Sequence, residues 1–203
     1  MNQILEVNKK KNNQIYKIQL FVSLILIVIF IILFLITKYN KEINEKTSNI
    51  LLKKYTVSKL YDNTSEDLNE IIGIIEIPKI NISYPIFSNF TDDLLKISPC
   101  RINGSMPNSI TNLSIAGHNY DNGKFFSNLK NLNLNDEIYI YDSSMKKFIY
   151  KITDLYEVEE NDLSPILINA EDNPILTLIT CNNLNKKRLI VKSSLFKSQK
   201  DEY

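Results

Sequence analysis

In 203 residues the chain carries one histidine, His118, two cysteines, Cys100 and Cys181, and two arginines, Arg101 and Arg188. Cys181 closes the apolar run 175–180, so a strand would deliver its thiol to a strand end, and Arg188 opens the next apolar run after six intervening residues. A thiolate is a strong nucleophile, and a free thiol with a pKa near ~8.5 needs an imidazole or a positive field to hold the reactive form. Arginine keeps its charge at any working pH and can donate hydrogen bonds to a developing oxyanion. His118 ends a third short apolar run, 113–117. Three scarce residue types at three strand ends predict a thiol nucleophile served by an imidazole and a cation. Each residue also has a plainer reading. Cys100 and Cys181 could form a structural disulfide in an oxidising compartment, a lone histidine is commonly a surface or satisfied residue, and Arg188 could be an edge charge that discourages sheet aggregation. Only the three together favour chemistry.

The elements that must carry these residues are extended. Strands are predicted at 71–77, 80–86, 112–117, 137–141, 147–158, 175–181 and 188–192, each rich in Ile, Tyr, Thr or Val and bounded by Asn, Asp, Pro or Ser. The run 175–179 is apolar on both faces, as a central strand requires, whereas Ile138 and Ile140 alternate with Tyr139 and Tyr141. Several short strands at close spacing predict an all-β barrel or sandwich. A short helix is expected near 91–97, where Thr91 can cap and Asp92 and Asp93 sit against the helix dipole, and a further turn near 125–129. Cys100 reads as an incidental loop thiol.

Ahead of this domain, residues 18–36 carry no charge, and every residue from 20 to 36 except Ser23 is apolar. A helix of that length covers roughly 28 Å, near the hydrocarbon thickness of a bilayer. The expected organisation is therefore a short cytoplasmic tail at 1–17, a transmembrane helix at 18–36, a polar, partly helical stalk at 37–69 and the catalytic domain at 70–203. A cleaved signal peptide is disfavoured by the length of the run and by Thr37, Lys38 and Tyr39 after it. Lysines flank the span about equally on both sides, so charge alone leaves the orientation open.

Composition removes other function classes. With four glycines neither a dinucleotide fingerprint nor a P-loop can be written. One histidine and two distant cysteines exclude a structural zinc. A net charge of +1, with no basic block outside the N-terminus, lacks the footprint of a nucleic-acid binder. No cofactor and no metal are expected.

Thr177 to Cys181 form the T-L-x-T-C pattern of sortases, the membrane-anchored cysteine transpeptidases of Gram-positive bacteria. Arg188 falls at that family's arginine, 114–118 (S-I-A-G-H) resembles its histidine segment, and Glu76, Ile77 and Pro78 resemble its opening strand. The resemblance covers roughly 71–195 and implies an eight-stranded sortase-type β-barrel with one or two short helices. It implies that Cys181 attacks the carbonyl after threonine in an L-P-x-T-G-like sorting signal and forms a thioacyl enzyme. His118 would move protons for the leaving and incoming amines, and Arg188 would bind substrate and the oxyanion. Ala116 and Thr180 would be substrate contacts. Partners would be surface proteins with that signal and a cell-wall precursor amine, at the cell membrane with the domain outside.

The short link between Cys181 and Arg188 leaves the sorting signal open. The thirty or so residues between Tyr150 and Cys181 leave little room for a class B helix insertion, and no C-terminal membrane helix or obvious lid marks a pilin polymerase. A class A or D-like housekeeping type fits better. Some class A relatives bind calcium through acidic loops, for which Asp92, Asp93, Glu159, Glu160 and Asp162 are available, though such residues are more often solvated. The rival functions are a membrane-tethered cysteine protease that only hydrolyses and a non-enzymatic surface β-domain.

Overall fold

The computed structural model describes residues 2–60, 68, 70–106, 109–120, 123–182 and 186–198, with side chains described from residue 15 onward. One helix, α1 (Asn2–Leu60), runs through the N-terminal part. The chain divides into two compact units, Met1–Ile43 and Asn44–Tyr203. Within the first, the helix is long and apolar enough to cross a membrane, and residues 20–36 expose their apolar side chains.

The second unit is a closed barrel of eight strands: β1 (Ile71–Ile77), β2 (Ile82–Phe87), β3 (Cys100–Asn103), β4 (Asn112–Ala116), β5 (Glu137–Tyr141), β6 (Lys147–Glu159), β7 (Ile175–Asn182) and β8 (Lys187–Ser198). Around the barrel they run β1-β2-β3-β4-β7-β8-β6-β5, and β5 closes on β1. Most neighbours are antiparallel, but β2 and β3 meet in parallel at Phe87 and Cys100, and β4 and β7 pair in parallel from Asn112 opposite Ile175 to Ala116 opposite Ile179. Period-two alternation fills the interior: Ile75 and Ile77, Ile138 and Ile140, Leu113 and Ile115, Leu176 and Leu178, and Val191 are buried there. Closure removes free sheet edges, so the fold needs few other devices against edge pairing.

The expected all-β class holds, with corrections of detail. Cys100 is not a loop thiol. It is fully buried in the four-residue strand β3, opposite Phe87 of β2 and Ala116 of β4. Both cysteines are free, so the disulfide alternative is overturned. β2 begins at Ile82 because Pro78–Ile80 form a 3-10 turn that ends in left-handed Asn81. β8 runs on to Ser198 because the long β6 pairs with it along its whole length.

The short helix α2 (Asp92–Ile97) forms as expected, with Thr91 Oγ1 accepting from the Leu94 N–H at 3.1 Å. Outside the barrel, Tyr55 of α1 packs with Ile71, Ile74, Phe87 and Cys100 in a second apolar cluster, flanked by Leu94 and Leu95 of α2. The turns of α1 from residue 44 onward are therefore part of the barrel unit.

Candidate active site

The parallel β4–β7 pair sets the site. Register places Ala116 beside Ile179, so two residues further on His118 and Cys181 leave the sheet at the same end and on the same face. The two segments stay joined past the last ladder pair. The Gly117 N–H donates to the Ile179 carbonyl at 3.0 Å, and Thr180 Oγ1 donates to the Gly117 carbonyl at 2.7 Å. Asn119 Nδ2 donates to the Cys181 carbonyl at 2.7 Å. On the other side of β7, Cys181 sits directly opposite Arg188 of β8, and directly paired residues present their side chains on one face. The topology thus brings the sulfur, the imidazole and the guanidinium to one end and one face of three adjacent strands.

Exposure separates their roles. Cys181 is exposed, whereas His118 and Arg188 are half-buried. Among the described residues none bonds to the Arg188 guanidinium. The His118 ring stacks on Tyr120 with centroids 4.8 Å apart. A cleft of about 360 Å³ opens beside Cys181, with Thr180, Asn119, Tyr120, Phe126 and Glu157 among its lining residues. His118, Arg188 and Ala116 do not line it. Thr180 is buried with its hydroxyl held by Gly117, so it reaches the cleft as part of the wall. Ala116 is half-buried on the face that carries His118.

Asn119 and Tyr120 are additions that sequence reasoning missed. Asparagine is too abundant here to stand out, and the one available signal was an amide and an aromatic directly after the only histidine. Glu157 is a third. It accepts a hydrogen bond from Asn182 Nδ2 at the rim of the cleft.

The acidic residues considered for calcium do not converge. Asp93 pairs with Lys96 and Glu159 with Lys187, while Asp162 accepts from the Ser164 N–H within its own loop. Among the described residues no group of three His, Cys, Asp or Glu side chains could hold a metal ion.

A half-buried cation, an exposed thiol and an imidazole on one face suit acyl transfer through a covalent thioester. The sortase-domain family model matches residues 75–196. Sortase A of Bacillus anthracis is 29% identical over 136 residues, covering 66% of this chain and 63% of that protein. Sortase A of Staphylococcus aureus is 28% identical over 157 residues, covering 75% and 72%. The solved structure of a Clostridium perfringens Sortase D5 transpeptidase is 30% identical, with a TM-score of 0.63, covering 75% of this chain and all of that one. The chain thus spans a little under two thirds of the Bacillus anthracis relative's length.

Proposed function

The chain belongs to the sortase family, and from that membership we propose that it is a cysteine transpeptidase that cleaves an L-P-x-T-G-like sorting signal after threonine and joins the protein to a cell-wall amine. Cys181 Sγ, as thiolate, adds to the threonine carbonyl carbon. The tetrahedral oxyanion forms within reach of the Arg188 guanidinium, which stabilises it electrostatically. Collapse breaks the C–N bond, His118 gives its proton to the departing amine, and a thioester remains on Cys181. The incoming amine then adds to that carbonyl, His118 takes the amine's proton, and the thiolate leaves as an amide bond forms.

The carrying observation is the pairing of Cys181 with Arg188 on β8, combined with the parallel β4–β7 register that takes His118 to the same end. The apolar helix ahead of the barrel suits a single-pass anchor at the cell membrane, and the proposed topology places the barrel outside, where sorting signals and cell-wall precursors meet. A class A or D-like housekeeping type is the reading we carry forward, supported by the Sortase A and Sortase D5 relatives, although Sortase C structures match the fold as well.

The test uses the full chain in detergent micelles with a fluorogenic L-P-x-T-G peptide, with and without triglycine. Cleavage with a triglycine-joined product, a thioester adduct seen by mass, and loss of both in Cys181→Ala are expected. Cleavage that never yields the joined product would reduce the protein to a hydrolase. Activity that survives in Cys181→Ala would remove the mechanism.

A further inference from the structure

A row of rings leads away from the imidazole. His118 stacks on Tyr120 at 4.8 Å between centroids and 24° between planes. Tyr120 meets Phe125 edge-on at 5.5 Å and 73°, and Phe125 stacks on Tyr84 of β2 at 4.9 Å and 18°. Phe125 is almost wholly buried and adopts φ 52, a left-handed backbone that a bulky residue rarely accepts. Such a conformation persists only where the surroundings hold it. Here the Phe125 N–H donates to Tyr84 Oη at 3.2 Å, and Asn119 forms a bridge with Phe125. The Phe126 N–H in turn donates to the His118 carbonyl at 3.0 Å. Lys124, directly before Phe125, forms an ion pair with Glu45 of α1, inside the barrel unit. The segment carrying His118 is thus fastened at one end to β7 and at the other to the helix.

The proposed reaction asks His118 to give a proton and later take one, so neither ring nitrogen should be consumed by the contact that orients the ring. Stacking meets that need, because it engages the face of the imidazole rather than a ring nitrogen. We propose that Tyr120 is a positioning residue for His118, and that Glu45 on the membrane-proximal helix, acting through Lys124 and Phe125, holds Tyr120 in place. This rests on the proposed transpeptidase function and adds to it a dependence of the site on α1.

Because His118 is the only histidine, the chain labelled with [13Cε1]-histidine and purified without a histidine tag gives one ring resonance. In micelles the wild-type signal should carry a ring-current shift, and Tyr120→Phe should keep both that shift and kcat within about twofold. Tyr120→Leu should lose the shift and lower kcat about tenfold or more, with KM changed less than about threefold. Glu45→Gln should move the same resonance and lower kcat several-fold, and the swapped pair Glu45→Lys with Lys124→Glu should restore both. Should Tyr120→Leu fold poorly, Glu45→Gln carries the test, since it removes the charge facing Lys124 while keeping the side chain's size. An unmoved resonance with unchanged kcat in Tyr120→Leu or Glu45→Gln overturns the positioning. A wild-type chain that leaves sorting peptides uncut overturns the proposed function instead, while the resonance still decides the positioning.

Discussion

The two cysteines show how position decides what one functional group does. Cys181 stands exposed at a strand end, whereas Cys100 is sealed between the barrel wall and α2, where burial pushes its thiol up to about 12. Reaction of the folded chain with iodoacetamide should therefore add one label, on Cys181, and a second only in denaturant, as intact and peptide masses would show. The pH dependence has a definite sign. Unfolding returns Cys100 to an ordinary thiol pKa near 9, so between that value and about 12 the unfolded chain binds fewer protons than the folded one. Stability from this group is complete below pH ~9 and falls above it by at most about 1.4 kcal/mol per pH unit. Denaturant titrations at pH 8 to 11 should show the wild type losing stability faster than Cys100→Ala. Thr180 belongs at the same scale. Its hydroxyl satisfies the Gly117 carbonyl next to His118, so Thr180→Val leaves that carbonyl unpaired and should destabilise by about 1–3 kcal/mol. Thr180→Ser should be close to wild type in both melting temperature and turnover.

At the scale of elements, the parallel pair β4–β7 is the part that makes a site possible, because only parallel neighbours end together and send His118 and Cys181 off the same edge. Gly117 marks the exit. A Cβ there would lie 2.5 Å from the Phe126 ring, which is itself fully buried. Gly117→Ala should therefore displace Phe126 from beneath the His118 segment and cost about 1–3 kcal/mol, with a larger loss in kcat than in peptide affinity, measured by thermal melting and steady-state kinetics. The strands that build this edge were legible in sequence because their Ile, Leu and Thr repeat with period two or run apolar on both faces. β3 was not, since its four residues contain one charged and one amide side chain and gain their strand character only from Phe87 and Ala116 on either side. The continuation of β8 past Lys192 was equally hidden, because Ser193 and Ser194 look like a turn until Ser193 is seen donating to the Leu176 carbonyl of β7. For the site, scarcity made His118, Cys181 and Arg188 visible. Asn119 and Tyr120 act through the geometry of a loop, which no local pattern encodes.

For the molecule as a whole, the end of α1 belongs to the barrel unit from Asn44 onward, within the segment whose polar composition reads as a stalk. Tyr55 is only 1% exposed, and Leu51 and Leu52 pack with it against Ile71, Ile74 and Phe87. Ser48, also fully buried, donates to Ser98 at the end of α2. Full burial of a side chain of this size contributes roughly 1.5–3 kcal/mol, and removing the helix would also return the facing side of the barrel to water. In a unit of this size each kcal/mol moves the midpoint by roughly 2–4 °C. A soluble fragment that starts at Asn44 should thus melt about 5–10 °C above one that starts after Leu60, as read by circular dichroism at equal concentration. Turnover should separate the two fragments further than melting does, because the shorter one also lacks Glu45 and with it the ion pair to Lys124. Equal melting and equal turnover would show that the helix merely lies against the barrel. A gap in turnover that persists at temperatures where both fragments remain folded would place the turns of α1 from Asn44 onward within the proposed site's support, because stability alone cannot lower the rate of a chain that is fully native.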